Sequence, residues 1–192
     1  MGWIFLGVFV LVVVVVGFWV VGMYNKLVRY RLDYENGWAQ IDVQLKRRYD
    51  LIPNLVETVK GYASHEKETL EGVINARANA MQVHDAADAG PQAMGQAEGM
   101  LTQALGKLFA LAESYPDLKA NANFLELQEE LTTTENKIGF ARQHYNDTVG
   151  RYETLRQSFP SNIVAGMFNF EHQEFLEFED RAEIANAPQV SF

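Results

Sequence analysis

Residues Trp3 to Met23 read WIFLGVFVLVVVVVGFWVVGM, an unbroken apolar run whose only polar groups are two indoles, and the first charge in the chain is Lys26. As a helix this run reaches ~31 Å, about the hydrocarbon thickness of a bilayer. It therefore predicts one membrane-spanning helix, residues 1–25, followed by a second region, residues 26–192. A secretory signal peptide is the competing reading, but that would carry a basic start, an apolar stretch of only ~7–15 residues and a small-x-small cleavage site. Only Met1 and Gly2 precede the run, whereas Lys26, Arg29 and Arg31 follow it. The positive-inside rule then places the N-terminus outside and residues 26–192 in the cytoplasm. Gly17 and Gly22 are five apart, so the close-packing Gly-x-x-x-Gly dimer motif is missing from the span.

Beyond the span, the remaining length suits one domain with a core of its own. The formal net charge is -9, yet residues 26–60 carry seven Lys or Arg against five Asp or Glu. Charge is thus polarised, with a basic segment where anionic headgroups of a lipid bilayer would be and an acidic body behind it. Such a body argues against nucleic acid as a partner, because phosphate neutralisation needs a basic face. The absence of cysteine from the sequence excludes disulfides, thiolate metal sites and cysteine nucleophiles.

Apolar positions after the span recur at helical spacing and never alternate for long, which predicts an all-α domain. From about Lys26 to Tyr62 the stripe reads Leu27, Tyr30, Tyr34, Trp38, Ile41, Leu45, Arg48, Ile52, Leu55, Val59, Tyr62, in steps of three and four. No breaker separates it from the span, so the two are expected to be one helix. Pro53 cannot donate to the carbonyl of Tyr49, and a bend is expected there, not an end. A second helix is expected from Ser64, as N-cap, to about Gln82, then a turn over His84 to Gly90. A third opens at Pro91 and runs to Glu113 on a face of Met94, Ala97, Leu101, Leu105, Leu108 and Ala112. After Tyr115-Pro116-Asp117 a long helix is expected from about Asn121 to Ser158, with Phe124, Gln128, Leu131, Glu135, Ile138, Arg142, Tyr145, Val149 and Tyr152 in alternating steps of four and three, ended by Phe159-Pro160. An apolar loop, Ser161 to Phe170, a short helix from Glu171 to Ala185 and an extended tail, Pro188 to Phe192, complete the reading.

These lengths assemble into an up-and-down four-helix bundle with two long helices of ~56 Å each, plus the short C-terminal helix. If Tyr62 and Asn121 are level at one end, counting back along both long helices brings Phe159 level with Tyr24, at the bilayer surface, where aromatic side chains are favoured. Phe159, Met167, Phe168 and Phe170 then join Lys26, Arg29 and Arg31 as candidate membrane-interface or assembly residues. The plainer reading is that the aromatic segment caps the end of the bundle core.

Arg48, Glu135 and Arg142 interrupt apolar stripes, and the same count brings Arg48 opposite Glu135. A catalytic reading would make Glu135 a base, but a carboxylate held ionised beside a guanidinium is a poor base at neutral pH. A buried structural ion pair is the favoured reading. None of His65, His84, His144 and His172 has a Glu three residues before it, so the di-iron signature of helical bundles is missing. No catalytic residue, metal or cofactor is expected.

QIDVQLKRRYDLIPNLVETVKGYASHEKETLE (Gln40 to Glu71), YPDLKANANFLELQEELTTTENKIGFARQHYND (Tyr115 to Asp147) and the ending FP…NFEHQEF…APQVSF resemble the LemA family of bacterial membrane proteins. The resemblance covers nearly the whole chain. It implies a single N-terminal membrane helix, an outside N-terminus and a cytoplasmic helical bundle in the bacterial inner membrane, with no established enzymatic activity and no catalytic residues to carry over. A magnetosome-associated relative is linked to membrane invagination, which implies a self-assembling scaffold that organises or remodels membranes. Some relatives occur alongside membrane proteases, which leaves open an adaptor or sensor for a membrane protease or other membrane protein.

Overall fold

The computed structural model describes residues 1–86 and 89–177. They form α1 (Gly2–Lys60), α2 (Lys67–Asp85), α3 (Pro91–Ala112), α4 (Pro116–Lys119), α5 (Ala122–Gln157) and α6 (Ser161–Met167), with no strand among the described residues. The protein is all-α, with one long apolar N-terminal helix. As expected, the apolar run and the helix that follows it are continuous, as α1. The chain divides into two compact units, and the division falls inside α1, after Trp38.

Unit 1 comprises Met1–Trp38 and His144–Gln173. Here α1 and α5 run antiparallel: Trp38 packs edge-on to Tyr145 at 5.3 Å and Tyr34 edge-on to Tyr152 at 5.1 Å. The two backbones approach closely at Gly37, where an added Cβ would stand 3.2 Å from the Tyr145 Cα. The segment expected as an apolar loop contains α6 instead. Its spacing explains this, because Ser161, Val164 and Ala165 fall on one side and are buried. The Ser161 hydroxyl is also within bonding distance of the carbonyls of Leu155 (2.6 Å) and Ser158 (2.9 Å) around the end of α5, the latter also accepting from Asn162 N–H at 2.8 Å. The helix stops at a left-handed Asn169 (φ 53°), and Phe170 N–H donates to the Ala165 carbonyl at 3.0 Å. This is a Schellman closure with asparagine in the position usually given to glycine.

A helix was also expected to start at Glu171, but residues 171–177 are not helical. Their polar groups are taken by α5: the Tyr152 hydroxyl donates to the Glu171 carbonyl (2.7 Å), and Gln173 bonds the Glu153 carboxylate through its N–H (2.8 Å) and the Tyr145 hydroxyl through its amide (2.8 Å). The rest of that expected helix, and the Pro188 to Phe192 tail, lie outside the described residues.

Unit 2 comprises Ala39–Gln143 with the described residues from Glu174. Its core is made by the anticipated stripes: Ile41, Leu45, Ile52, Leu55 and Val59 of α1, the whole apolar face of α3, and Phe124, Leu131 and Ile138 of α5. The Asn121 side chain accepts from Phe124 N–H (3.0 Å), capping α5, and donates to the Tyr62 hydroxyl (2.9 Å). α1 continues through Pro53, and the Tyr49 carbonyl that the proline leaves without a helical donor accepts a hydrogen bond from Arg77 Nε of α2 at 2.7 Å. Ser64 does not cap α2. Ala63, buried, anchors a turn just ahead of it, α2 starts at Lys67 after Glu66, and no side chain caps it. The Glu66 carboxylate is engaged by the Tyr115 hydroxyl at 2.9 Å. At the other end α2 outlasts its expected limit and reaches Asp85, where His84 bonds both Asp42 and Asp85. Of the turn expected over His84 to Gly90, Ala87 and Asp88 lie outside the described residues.

Candidate functional site

In unit 2 the polar side chains of the core converge on Glu98, which is 1% exposed. Its Oε2 is 3.1 Å from Arg48 Nη1, and its Oε1 accepts a short hydrogen bond from the Tyr49 hydroxyl. Arg48 Nη2 donates to Thr102 Oγ1 at 2.7 Å and stands 3.2 Å from Glu135 Oε2. Arg48 is 3% exposed but the Glu135 side chain is 44% exposed, so the fully enclosed partner of the guanidinium is Glu98. Burial pushes the Glu98 carboxyl up, with the Tyr49 bond and the Arg48 charge acting against it. The Tyr49 phenol is raised beyond its ordinary range by burial and by the neighbouring Glu98 charge. His84, packed edge-on to Tyr49 at 5.9 Å, is depressed by burial but raised on balance by its bonds to Asp85 and Asp42.

Glu98 was not singled out from the sequence, although it sits four residues after Met94 and three before Leu101, squarely on the α3 face. Arg142, which also interrupts a stripe, is half-buried. The cluster holds a cation, carboxylates and a phenol in mutual contact. That arrangement links α1, α3 and α5 of this unit through the Arg48 guanidinium. Among the described residues no group of side chains has the composition and geometry to hold a metal ion.

In unit 1 the candidate interface residues divide into two sets. Lys26, Arg29 and Arg31 are exposed; Lys26 Nζ lies over the Tyr30 ring at 5.7 Å, and Arg31 pairs with Glu35 at 3.0 Å. Phe170 is turned inward, into a cluster with Leu27, Tyr152, Val164 and Ala165, against which Trp19, Val20 and Met23 of the apolar run also pack. Phe168 stacks edge-on to Tyr24 at 4.8 Å while remaining half exposed. Phe159 (80% exposed) and Met167 (70%) point outward with Ile163. At the border of this apolar end stands Glu153, buried and contacted by Arg156 Nη2 (2.9 Å), Gln157 Nε2 (2.8 Å), His172 Nδ1 (3.1 Å) and Gln173 N–H. Burial opposes its charge, but these donors, Arg156 foremost, bring its carboxyl down to about 2. Sequence reasoning passed over this residue. The signal was its Arg at i+3 next to the buried Tyr152.

A sequence model of the LemA family matches residues 37–192. Protein LemA of Metamycoplasma hominis is 26% identical over 157 residues, which takes in 82% of this chain and 70% of the relative. Magnetosome protein MamQ 2 of Paramagnetospirillum magneticum is 23% identical over 175 residues, and Magnetosome protein MamQ of Magnetospirillum gryphiswaldense 22% identical over 174. Those two matches take in 80% of this chain and 64% of the relative, so the chain spans less than two thirds of the magnetosome proteins' length.

Proposed function

The chain belongs to the LemA family, and from that premise we propose that it is a membrane-anchored, non-enzymatic scaffold that self-assembles and organises or reshapes the bilayer holding it. One observation supports this above the others: residues 2–18 are exposed on every side of α1, although the stretch is apolar nearly throughout. A helix apolar all round and uncovered by its own protein is kept from water by lipid. The N-terminus lies outside and the remaining chain on the cytoplasmic side of a bacterial inner membrane. There Lys26, Arg29 and Arg31 meet anionic headgroups, an attraction of about 1 kcal/mol per basic residue. The burial of Glu98 and Arg48 against each other supports a structural role over a catalytic one, as do relatives named as magnetosome proteins.

Mass measurement of the full-length protein extracted in a mild detergent tests the reading. A large homomeric assembly is expected. A stoichiometric foreign protein would point instead to an adaptor for a membrane protease or signalling partner, and a lone monomer would overturn the scaffold. Single cysteines at Gly2 and Lys137 test topology in this cysteine-free chain: an impermeant reagent applied to intact cells should label only position 2.

A further inference from the structure

We propose that α6 is a second membrane contact, a short helix lying in the cytoplasmic leaflet with its outer face among the upper acyl chains. This rests on the anchored reading of α1 and adds a depth and a set of residues to it. Two uncharged stretches meet in unit 1. One is the beginning of α1 up to Asn25; the other is residues 157–170, bracketed by Arg156 and Glu171. They share the cluster of Leu27, Val164, Ala165 and Phe170, against which Trp19, Val20 and Met23 pack, and Tyr24 meets both Phe168 and Phe170. Trp19 is seven residues before the first charge, so the contacts of this cluster along α1 run from Leu27 to a level ~10 Å on the lipid side of Lys26. Interfacial helices bury their apolar faces to a similar depth, roughly 5–10 Å.

The charge boundary agrees from both sides. Leu27, next to Lys26, and Tyr152, next to Glu153, belong to the same cluster, and Glu153 gathers Arg156 and His172 at that level. Past this line, α6 turns Ser161, Val164 and Ala165 inward and leaves Ile163 and Met167 bare, as is Phe159 just ahead of it. Phe168, next to Met167 and half exposed, meets the partly exposed Tyr24 of α1 edge-on, so the bare residues of α6 and the apolar helix adjoin there. The Schellman turn at Asn169 then brings the chain back to Glu171 and the water.

The test uses the full-length protein in vesicles of mixed zwitterionic and anionic phospholipid, with single cysteines carrying a nitroxide at Gly7→Cys, Met167→Cys or Phe140→Cys. Collisions with oxygen, which concentrates in lipid, are compared with collisions with a water-soluble nickel chelate. Position 7 should report deep lipid and position 140 water. Position 167 should report lipid below the phosphates, with its oxygen-to-nickel ratio nearer that of position 7. A water-like ratio at 167 with lipid at 7 overturns the proposal and leaves the anchor standing. Shielding from both reagents at 167 overturns it in favour of a protein neighbour, and water at 7 as well removes the anchor itself.

Discussion

Glu98 and Arg48 are unequal members of their pair. Without Arg48 the buried carboxylate keeps only the Tyr49 hydroxyl, whereas without Glu98 the guanidinium still has Thr102 and the half-exposed Glu135. Arg48→Met is therefore expected to cost about 3–5 kcal/mol, as for a broken buried pair, and Glu98→Leu distinctly less. The double variant should be more stable than Arg48→Met alone, and Glu135→Leu should cost less than about 1 kcal/mol. Chemical denaturation of the detergent-solubilised protein at neutral pH, followed by circular dichroism, ranks the four. Glu153 governs the acid side. Its carboxyl is brought from 4.5 to about 2, so its contribution is present above pH 4.5 and is lost as pH falls toward 2. On the order of 3 kcal/mol is at stake, and Glu153→Gln should flatten that part of the stability-against-pH curve. Glu98 has the opposite sign: its raised pKa adds stability below the ordinary carboxylate range and withdraws it as pH rises.

Among the elements, α6 depends most on a single residue. Asn169 holds the left-handed turn that swings Phe170 back onto Ala165, and asparagine tolerates that conformation better than other residues with a Cβ. Asn169→Gly should keep or slightly raise thermal stability, while Asn169→Val should lower it by about 1–2 kcal/mol, by the handedness penalty alone. If both behave alike in a thermal melt, the turn does not limit the stability of unit 1. This element also marks where sequence reading stops. The stripes of α1, α3 and α5 run for many turns, so most of their buried positions were legible, although Tyr62 at the end of the α1 stripe is exposed; the start at Pro91 followed from the fit of proline to a first turn, and that near Asn121 from the chain break ahead of it. Two turns of α6 are too few to establish a period, and its ending signal was an asparagine in place of the familiar glycine. Glu98 was missed for another reason. A carboxylate among apolar neighbours reads as surface until the arginine that accompanies it, fifty residues away, is found opposite.

At the scale of the whole molecule, unit 1 is assembled from two distant stretches of chain, Met1–Trp38 and His144–Gln173, while most of unit 2 is drawn from the residues between them. This has a consequence for synthesis. On the anchored reading the apolar part of α1 reaches the membrane early, followed closely by Leu27, Tyr30 and Tyr34, but the residues that cover them follow more than a hundred codons later. At ~5–20 residues per second that face waits about 5–20 s for its cover, while most of the unit 2 sequence is already outside the ribosome. A cysteine at Tyr34 in stalled nascent chains of increasing length should stay reactive until the chain has emerged to about Gln173, whereas one at Leu101 should be protected well before. Early protection at position 34 would mean that something else, a lipid headgroup layer or a chaperone, shelters the aromatic face during its wait.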